Sequence, residues 1–152
     1  MIEDKYIKLI AFELNNEEYA IPVEQVRSIE KLQPITRVPK TPPFVKGVIN
    51  LRGVITPIID LRTRFNLENI SYSSATRILM TTIDDMEIGF IVDGANDVLD
   101  VKMEQIENTP EVIDSVENKY VKGVVKLDSR ILVYLDLKNI VTSDSEMIKV
   151  LT

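Results

Sequence analysis

Residues 44 to 62 read Phe44-Val-Lys-Gly-Val-Ile-Asn-Leu-Arg-Gly-Val-Ile-Thr-Pro-Ile-Ile-Asp-Leu-Arg62, and a second version of this stretch begins 76 residues later. It reads Tyr120-Val-Lys-Gly-Val-Val-Lys-Leu-Asp-Ser-Arg-Ile-Leu-Val-Tyr-Leu-Asp-Leu-Lys138. Eight of the 19 aligned positions are identical without a gap, including a glycine and an aspartate. Because self-similarity at a fixed spacing is typical of repeated structural units, we predict that the chain contains one unit twice.

A weaker match in front of each copy extends the repeat. Tyr19–Glu24 aligns with Ile88–Asp93 at an offset of 69, and the same register places Ile29 opposite Val98. The two offsets differ because the connector that precedes the second copy is the longer one. The similarity therefore covers most of each half of the chain.

These matches predict the domain organisation. Residues 1–152 are expected to form a single domain built from two barrel-like repeats, at about 6–66 and 77–141, joined by the polar residues 71–74. A C-terminal helix is expected within 142–152, where Ser143 and Glu146 have the spacing of a capping box.

Each repeat has the pattern of short strands separated by turn residues. Val45–Leu51 and Val54–Ile59 flank Arg52-Gly53 and predict a hairpin. Val23, Val26 and Ile29 follow Pro22 at helical spacing and predict a short helix. About five short strands per repeat indicate a mainly β protein with two pseudo-symmetric small barrels and short helices.

The two copies also provide an internal control. Residues shared by both are most simply explained by the fold, so Gly47 and Gly123 are expected to permit a close backbone approach. Asp60 and Asp136 are likewise expected to cap the short segments that follow them. Positions that differ within a constant frame are better functional candidates. The largest such difference is at the hairpin tip, where Arg52 is replaced by Asp128.

The composition excludes several classes of protein. The chain has no cysteine, histidine or tryptophan, and 18 Lys and Arg against 24 Asp and Glu give a net charge of −6. Thiol nucleophiles, thiolate zinc sites and histidine metal sites are therefore excluded. No cofactor or metal is expected, and the negative charge argues against nucleic acid as a partner.

The N-terminal region has neither a cationic patch nor an uninterrupted apolar run, so it does not resemble a signal peptide. No apolar run approaches the roughly 18 residues of a membrane-spanning helix. We therefore expect a cytoplasmic protein without direct membrane insertion.

The stretch from Phe44 to Arg62 resembles the signature of the CheW family of bacterial chemotaxis coupling proteins, and Val92–Leu99 resembles that family's second conserved stretch. The resemblance implies two five-stranded, SH3-like β-barrels and an adaptor without catalytic activity. It also implies two partners, the signalling domain of methyl-accepting chemoreceptors and the regulatory domain of the histidine kinase CheA. We expect recruitment to receptor arrays at the inner face of the membrane, and a monomer in isolation.

The resemblance also implies site residues on the receptor side. The family's receptor contacts involve the groove between the barrels and the arginine that matches Arg52, which lies in the Asn50-Leu-Arg-Gly53 motif. Val26 matches another implicated position. Many relatives carry a glutamate where this chain has Ser28, so the chain departs from the family pattern at this receptor-side position. Kinase contacts are implied mainly for the second barrel.

Two alternatives remain. The chain could be a regulatory CheW-like domain of a CheA- or CheV-type protein, although no phosphotransfer or receiver domain is present in the sequence. A carboxylate-based metal or hydrolytic enzyme would use Asp84, Asp85 and Glu87, or Asp93. Carboxylates crowded at a turn between strands are more often solvated turn formers, so the adaptor is favoured.

Overall fold

The computed structural model describes residues 5–108 and 118–142, and the predicted C-terminal helix with Ser143 and Glu146 lies outside them. Within the described residues there are eleven strands, two short α-helices and three single 3-10 turns. The strands are β1 (Tyr6–Leu14), β2 (Glu17–Pro22), β3 (Val26–Lys31), β4 (Val45–Leu51), β5 (Val54–Asp60), β6 (Arg77–Ile83), β7 (Met86–Val92), β8 (Gly94–Lys102), β9 (Ile106–Glu107), β10 (Val121–Lys126) and β11 (Ile131–Leu135). The helices are α1 (Leu61–Arg64) and α2 (Leu137–Thr142), and the 3-10 turns are Val23–Gln25, Met103–Gln105 and Asn118–Tyr120.

The strands form two sheets, which confirms the predicted mainly β fold of two small barrels. One sheet has six strands in the order β8-β1-β2-β11-β10-β9, and the other has five in the order β3-β6-β7-β5-β4. The sixth strand of the larger sheet, β9, has only two residues and pairs with β10. Its counterpart in the smaller sheet is a single bridge between Thr36 and Val48.

The sheets divide the chain differently from the sequence repeats. The hairpin β1–β2 of the first repeat joins the larger sheet, where β1 pairs with β8 and β2 pairs in parallel with β11. The hairpin β6–β7 of the second repeat joins the smaller sheet, where β6 pairs with β3 and β7 pairs in parallel with β5. Each barrel therefore combines the first hairpin of one repeat with the second hairpin of the other.

The short helix predicted over Val23, Val26 and Ile29 is wrong beyond its first turn. Only Val23–Gln25 is helical, and Val26 begins the strand β3. The register of β3 against β6 shifts between Val26 and Ser28, which leaves Arg27 as an extra residue. Because a bulge adds one residue to the two-residue repeat of a strand, it imitates the three-residue spacing of a helix.

Residues shared by both copies have the predicted structural roles. An added β-carbon would lie 2.1 Å from the Thr36 carbonyl oxygen at Gly47, and 2.4 Å from the Glu107 carbonyl oxygen at Gly123. Asp60 accepts a hydrogen bond from the Arg62 backbone N–H at 2.9 Å and so caps α1.

The second aspartate behaves in the same way. Asp136 accepts a hydrogen bond from the Asn139 backbone N–H at 3.1 Å, at the start of α2. The backbone N–H groups of Asp60 and Asp136 donate to the carbonyls of Phe44 and Tyr120, each at 2.8 Å. The same two contacts therefore join the end of each copy of the motif to its first residue and to the helix that follows.

Buried side chains form three clusters, one inside each barrel and the largest between the two. Aromatic rings run through the largest cluster, with centroids 5.6–6.2 Å apart, in the order Phe12, Tyr19, Phe65 and Tyr120. The guanidinium of Arg64 lies between the repeat-related rings of Phe44 and Tyr120, 4.6 and 4.8 Å from their centroids. The barrels therefore share a continuous core.

Candidate partner-binding site

Arg52 and Gly53 form the tip of the hairpin between β4 and β5. Both have positive φ, 52° and 87°, as in the type I′ turn that fits the twist of a two-residue hairpin. The side-chain oxygen of Asn50 accepts a hydrogen bond from the Gly53 backbone N–H at 2.9 Å. Asn50 and Gly53 therefore hold the turn, and the exposed Arg52 projects from it.

Ser28 and Arg52, which are 24 positions apart in the sequence, line one cleft of about 260 Å³ on the five-stranded barrel. Leu51, Val54 and Met80 provide apolar surface in this cleft, and Arg27 and Glu87 provide charges of opposite sign. A small apolar surface with a few charged groups around it is typical of a site that binds a protein surface or a peptide.

Val26 lies apart from this cleft. Its side chain is half-buried and packs against the core between the barrels. The bulge at Arg27 lies between Val26 and Ser28 on one strand. Val26 therefore contacts the core, whereas Ser28 lines the cleft. The structure therefore brings together Ser28, Asn50, Arg52 and Gly53, and it places Val26 toward the junction of the barrels.

The guanidinium of Arg52 has no hydrogen-bond or ion-pair partner among residues 5–108 and 118–142. Arginine presents a planar set of donors that suits carboxylates, and such a group binds a partner best when no internal acceptor competes. The side chain is therefore available for an external acidic group.

The corresponding hairpin tip of the other barrel is built differently. The repeat predicts equivalent geometry at the two hairpin tips, and this prediction is wrong. Asp128 and Ser129 lack the positive φ of Arg52 and Gly53. The closing pair is Leu127 and Arg130, whose backbones exchange hydrogen bonds. The charge reversal thus comes with a change of turn conformation.

Arg130, next to that second tip, is fixed by two carboxylates. Its guanidinium donates to Glu18 on β2 and to Asp97 on β8, with Nε 3.1 Å from Glu18 Oε1 and Nη1 3.1 Å from Asp97 Oδ2. These hydrogen bonds raise the pKa of Arg130 and lower the pKa of Asp97. The Arg130 guanidinium is therefore bonded to strands of its own barrel, whereas the Arg52 guanidinium has no such bond in the described residues.

The carboxylates considered for an enzyme have structural partners. Asp84 and Asp85 form the turn between β6 and β7 with φ of 46° and 67°, and Asp84 pairs with the Lys138 ammonium at 2.8 Å. Asp93 accepts hydrogen bonds from the Arg62 guanidinium at 2.8–3.1 Å and from the Asn15 backbone N–H at 2.8 Å. In the described residues, no three acidic side chains are grouped so that they could hold a metal ion.

Sequence reasoning missed Met80 and Glu87 as cleft residues. Both lie on the β6–β7 hairpin, which belongs to the other repeat and reaches this barrel only through the exchange of hairpins. No local pattern in the sequence marks them. The repeat alignment even assigns them to the other half of the molecule.

No helix in the described ranges is long and apolar enough to cross a membrane. The structure resembles the crystal structure of the scaffolding protein TtCheW from Thermoanaerobacter tengcongensis, with a TM-score of 0.85 and 31% sequence identity over 91% of this chain and 94% of that chain.

Among curated proteins, chemotaxis protein CheW of Bacillus subtilis is 45% identical over 138 residues, which are 91% of this chain and 88% of that protein. Chemotaxis protein CheW of Klebsiella aerogenes is 38% identical over 137 residues, 90% of this chain and 82% of that protein. The family model for the CheW-like domain matches residues 8–145. This chain therefore belongs to the CheW-like family of chemotaxis scaffold proteins, whose fold is a pair of SH3-like barrels.

Proposed function

We propose that this protein is a cytoplasmic adaptor that couples the signalling tips of chemoreceptors to the histidine kinase CheA within receptor arrays. Family membership supports a binding role. The observation that carries the proposal is the exposed Arg52 guanidinium, which has no partner in the described part of the chain and borders a partly apolar cleft. In this proposal the cleft binds the receptor.

The family resemblance implies a carboxylate at the position of Ser28, and the cleft contains a carboxylate on another strand. Glu87 lines it and accepts a hydrogen bond from the Thr82 hydroxyl at 2.9 Å, which holds the carboxylate in place. Glu87 and Arg52 can therefore contact a basic and an acidic group of one receptor helix. Opposite charges around an apolar contact favour one orientation of the partner.

The kinase contact is proposed for the six-stranded barrel. Val98 on β8 and Ile131 on β11 are 58% and 66% exposed, although both are apolar. Their repeat partners Ile29 and Ile55 are also exposed, at 42% and 61%. Retention of exposed apolar residues in both copies is unexplained by core packing, and it favours a docking surface on each barrel.

A regulatory domain of a CheV-type protein is the second candidate. Chemotaxis protein CheV3 of Helicobacter pylori is 23% identical over 125 residues, against 45% for the CheW protein of Bacillus subtilis. The higher identity favours the scaffold.

The proposal is tested by a pull-down with a purified chemoreceptor signalling domain and a CheA regulatory domain. We expect the wild-type chain to retain both in one complex, and Arg52→Asp to lose the receptor while it keeps the kinase. Asp128→Arg, at the aligned position of the other hairpin, is the matched control and should keep the receptor. Receptor binding by Arg52→Asp at wild-type level would refute the assigned contact, and failure to bind either partner would refute the function.

A further inference from the structure

Acidic residues are absent from one long stretch of this acidic protein. Residues 31–59 contain five Lys and Arg and no Asp or Glu, whereas the other residues contain thirteen Lys and Arg against twenty-four Asp and Glu. The stretch comprises the end of β3, the connector to β4, the strand β4 and most of β5. This stretch therefore carries a formal charge of +5 in a molecule of net charge −6.

Three of these cations surround one cleft. Arg37, Lys40 and Lys46 line a cavity of about 340 Å³ formed by the connector and the start of β4, and no carboxylate lines it. None of the three has an ion pair or a side-chain hydrogen bond within residues 5–108 and 118–142. Three like charges held together without counter-charges repel one another, and an anionic ligand would remove that repulsion.

The repeat shows that Lys46 lacks a contact that its counterpart has. Lys122, its partner in the second copy, lies with its ammonium 5.5 Å from the centroid of the Tyr134 ring. The position that matches Tyr134 is Ile58, which is buried and has no aromatic face. Lys46 is half-buried in the cleft instead, so a structural role explains Lys122 but not Lys46.

The lining of the cleft indicates the class of anion. Compact phosphates are usually held by several backbone N–H groups, but Pro39, Pro42 and Pro43 have none. The Val45 N–H already donates to the Pro42 carbonyl at 3.0 Å. Proline rings next to these three cations suit an extended chain that bears several carboxylates.

We propose that the Arg37–Lys40–Lys46 cleft binds an acidic polypeptide segment of a partner protein. The cleft lies where β4 begins, and the Arg52 tip follows the end of this seven-residue strand, about 20 Å away at the rise of a β-strand. The acidic segment therefore binds at a separate site, and this inference holds whether or not the Arg52 cleft binds a receptor.

The probe for the test is a fluorescein-labelled peptide of eight glutamates, measured by fluorescence anisotropy against the full chain. Arg37→Gln/Lys40→Gln/Lys46→Gln is compared with the control Lys8→Gln/Lys122→Gln/Lys126→Gln, which removes the same total charge from exposed lysines elsewhere. We expect the cleft variant to bind at least about tenfold more weakly than wild type, and the control to lose less than about threefold. Wild-type binding should weaken as salt rises from about 50 to about 300 mM.

Amide chemical-shift mapping on the wild-type protein gives a second readout that needs no variant. Shifts confined to residues 36–46 on addition of the peptide would support the cleft. Absence of binding, equal losses in the two variants, or shifts elsewhere would overturn the proposal. Tripolyphosphate is the competing compact anion, and its binding to the cleft more tightly than the peptide would also overturn the assignment to a polypeptide.

Discussion

Gly47 offers a test of the view that residues shared by both repeats serve the fold. In Gly47→Ala the new β-carbon would lie 2.1 Å from the Thr36 carbonyl oxygen, where ordinary contact begins near 3.4 Å. The backbone at Thr36 would have to move by more than about 1 Å, and it exchanges two hydrogen bonds of 2.8 and 2.9 Å with Val48. Loss of both would cost about 1–3 kcal/mol, and an alanine held at a φ of 143° would add about 1–3 kcal/mol.

The expected loss in the free energy of unfolding is therefore about 2–6 kcal/mol, out of about 5–15 kcal/mol for a typical domain. At about 2–4 °C per kcal/mol for a chain of this size, the melting temperature should fall by about 4–24 °C. Urea unfolding followed by far-UV circular dichroism measures the loss directly, provided that the slope with urea is unchanged.

Alanine substitutions at two further glycines provide the comparison for the stability of Gly47→Ala. Gly123→Ala should also be strongly destabilising, because its β-carbon would lie 2.4 Å from the Glu107 carbonyl oxygen. Gly94→Ala should change stability by less than about 0.5 kcal/mol, since its nearest neighbour would be 3.7 Å away. A Gly47→Ala protein within about 1 kcal/mol of wild type would contradict the reasoning.

Three other perturbations have defined outcomes. Asp93→Asn should lower the free energy of unfolding by about 2–4 kcal/mol in urea titrations, because it leaves the nearly buried Arg62 guanidinium without its counter-charge. Arg130→Gln should raise the pKa of Asp97 toward its ordinary value, measured from the carboxyl carbon-13 shift, because the hydrogen bond from Arg130 lowers that pKa. The stability contributed by the Asp97 pair should be present above about pH 4 and lost as the pH falls below it. Ile131→Asp should weaken CheA binding in the pull-down, without loss of the receptor.

Each of these changes has a control within the chain. Asp100→Asn breaks an exposed pair with Lys8 and should change stability by less than about 0.5 kcal/mol. Lys126→Gln, at the end of β10 just before the turn that contains Arg130, should leave the pKa of Asp97 unchanged. Ile55→Asp removes the equivalent isoleucine of the other barrel and should keep the kinase. Equal effects of a change and its control would contradict the assigned contact.

The local features of the fold could be predicted because the repeat reveals them. The hairpin around Arg52, the caps at Asp60 and Asp136, and the close approach at Gly47 all depend on neighbours in the sequence or on one bridged strand. A turn, a cap and a glycine have strong residue preferences, so one sequence with two copies is sufficient to locate them.

The exchange of hairpins could not be predicted from the sequence. The parallel pairings of β2 with β11 and of β5 with β7 join segments that are far apart, and pairing within one repeat would satisfy the same apolar pattern. The two repeats are so similar that strand patterns alone do not distinguish partners. For the same reason, the contribution of Glu87 to the Arg52 cleft has no signal in the sequence.

The exchange bears on how an adaptor of this kind could work. Domains joined by a single linker are expected to move relative to one another. Here each barrel holds a hairpin of the other repeat, and the Arg62 guanidinium after β5 pairs with Asp93, which in turn accepts from the Asn15 N–H in the β1–β2 turn. The exchanged hairpins and these hydrogen bonds hold the Arg52 cleft and the exposed Ile131 surface in one relative orientation. If the cleft binds the receptor and the Ile131 surface binds the kinase, the relative orientation of the two sites is fixed before either partner binds. The free energy of binding then includes no entropic cost for ordering the two barrels.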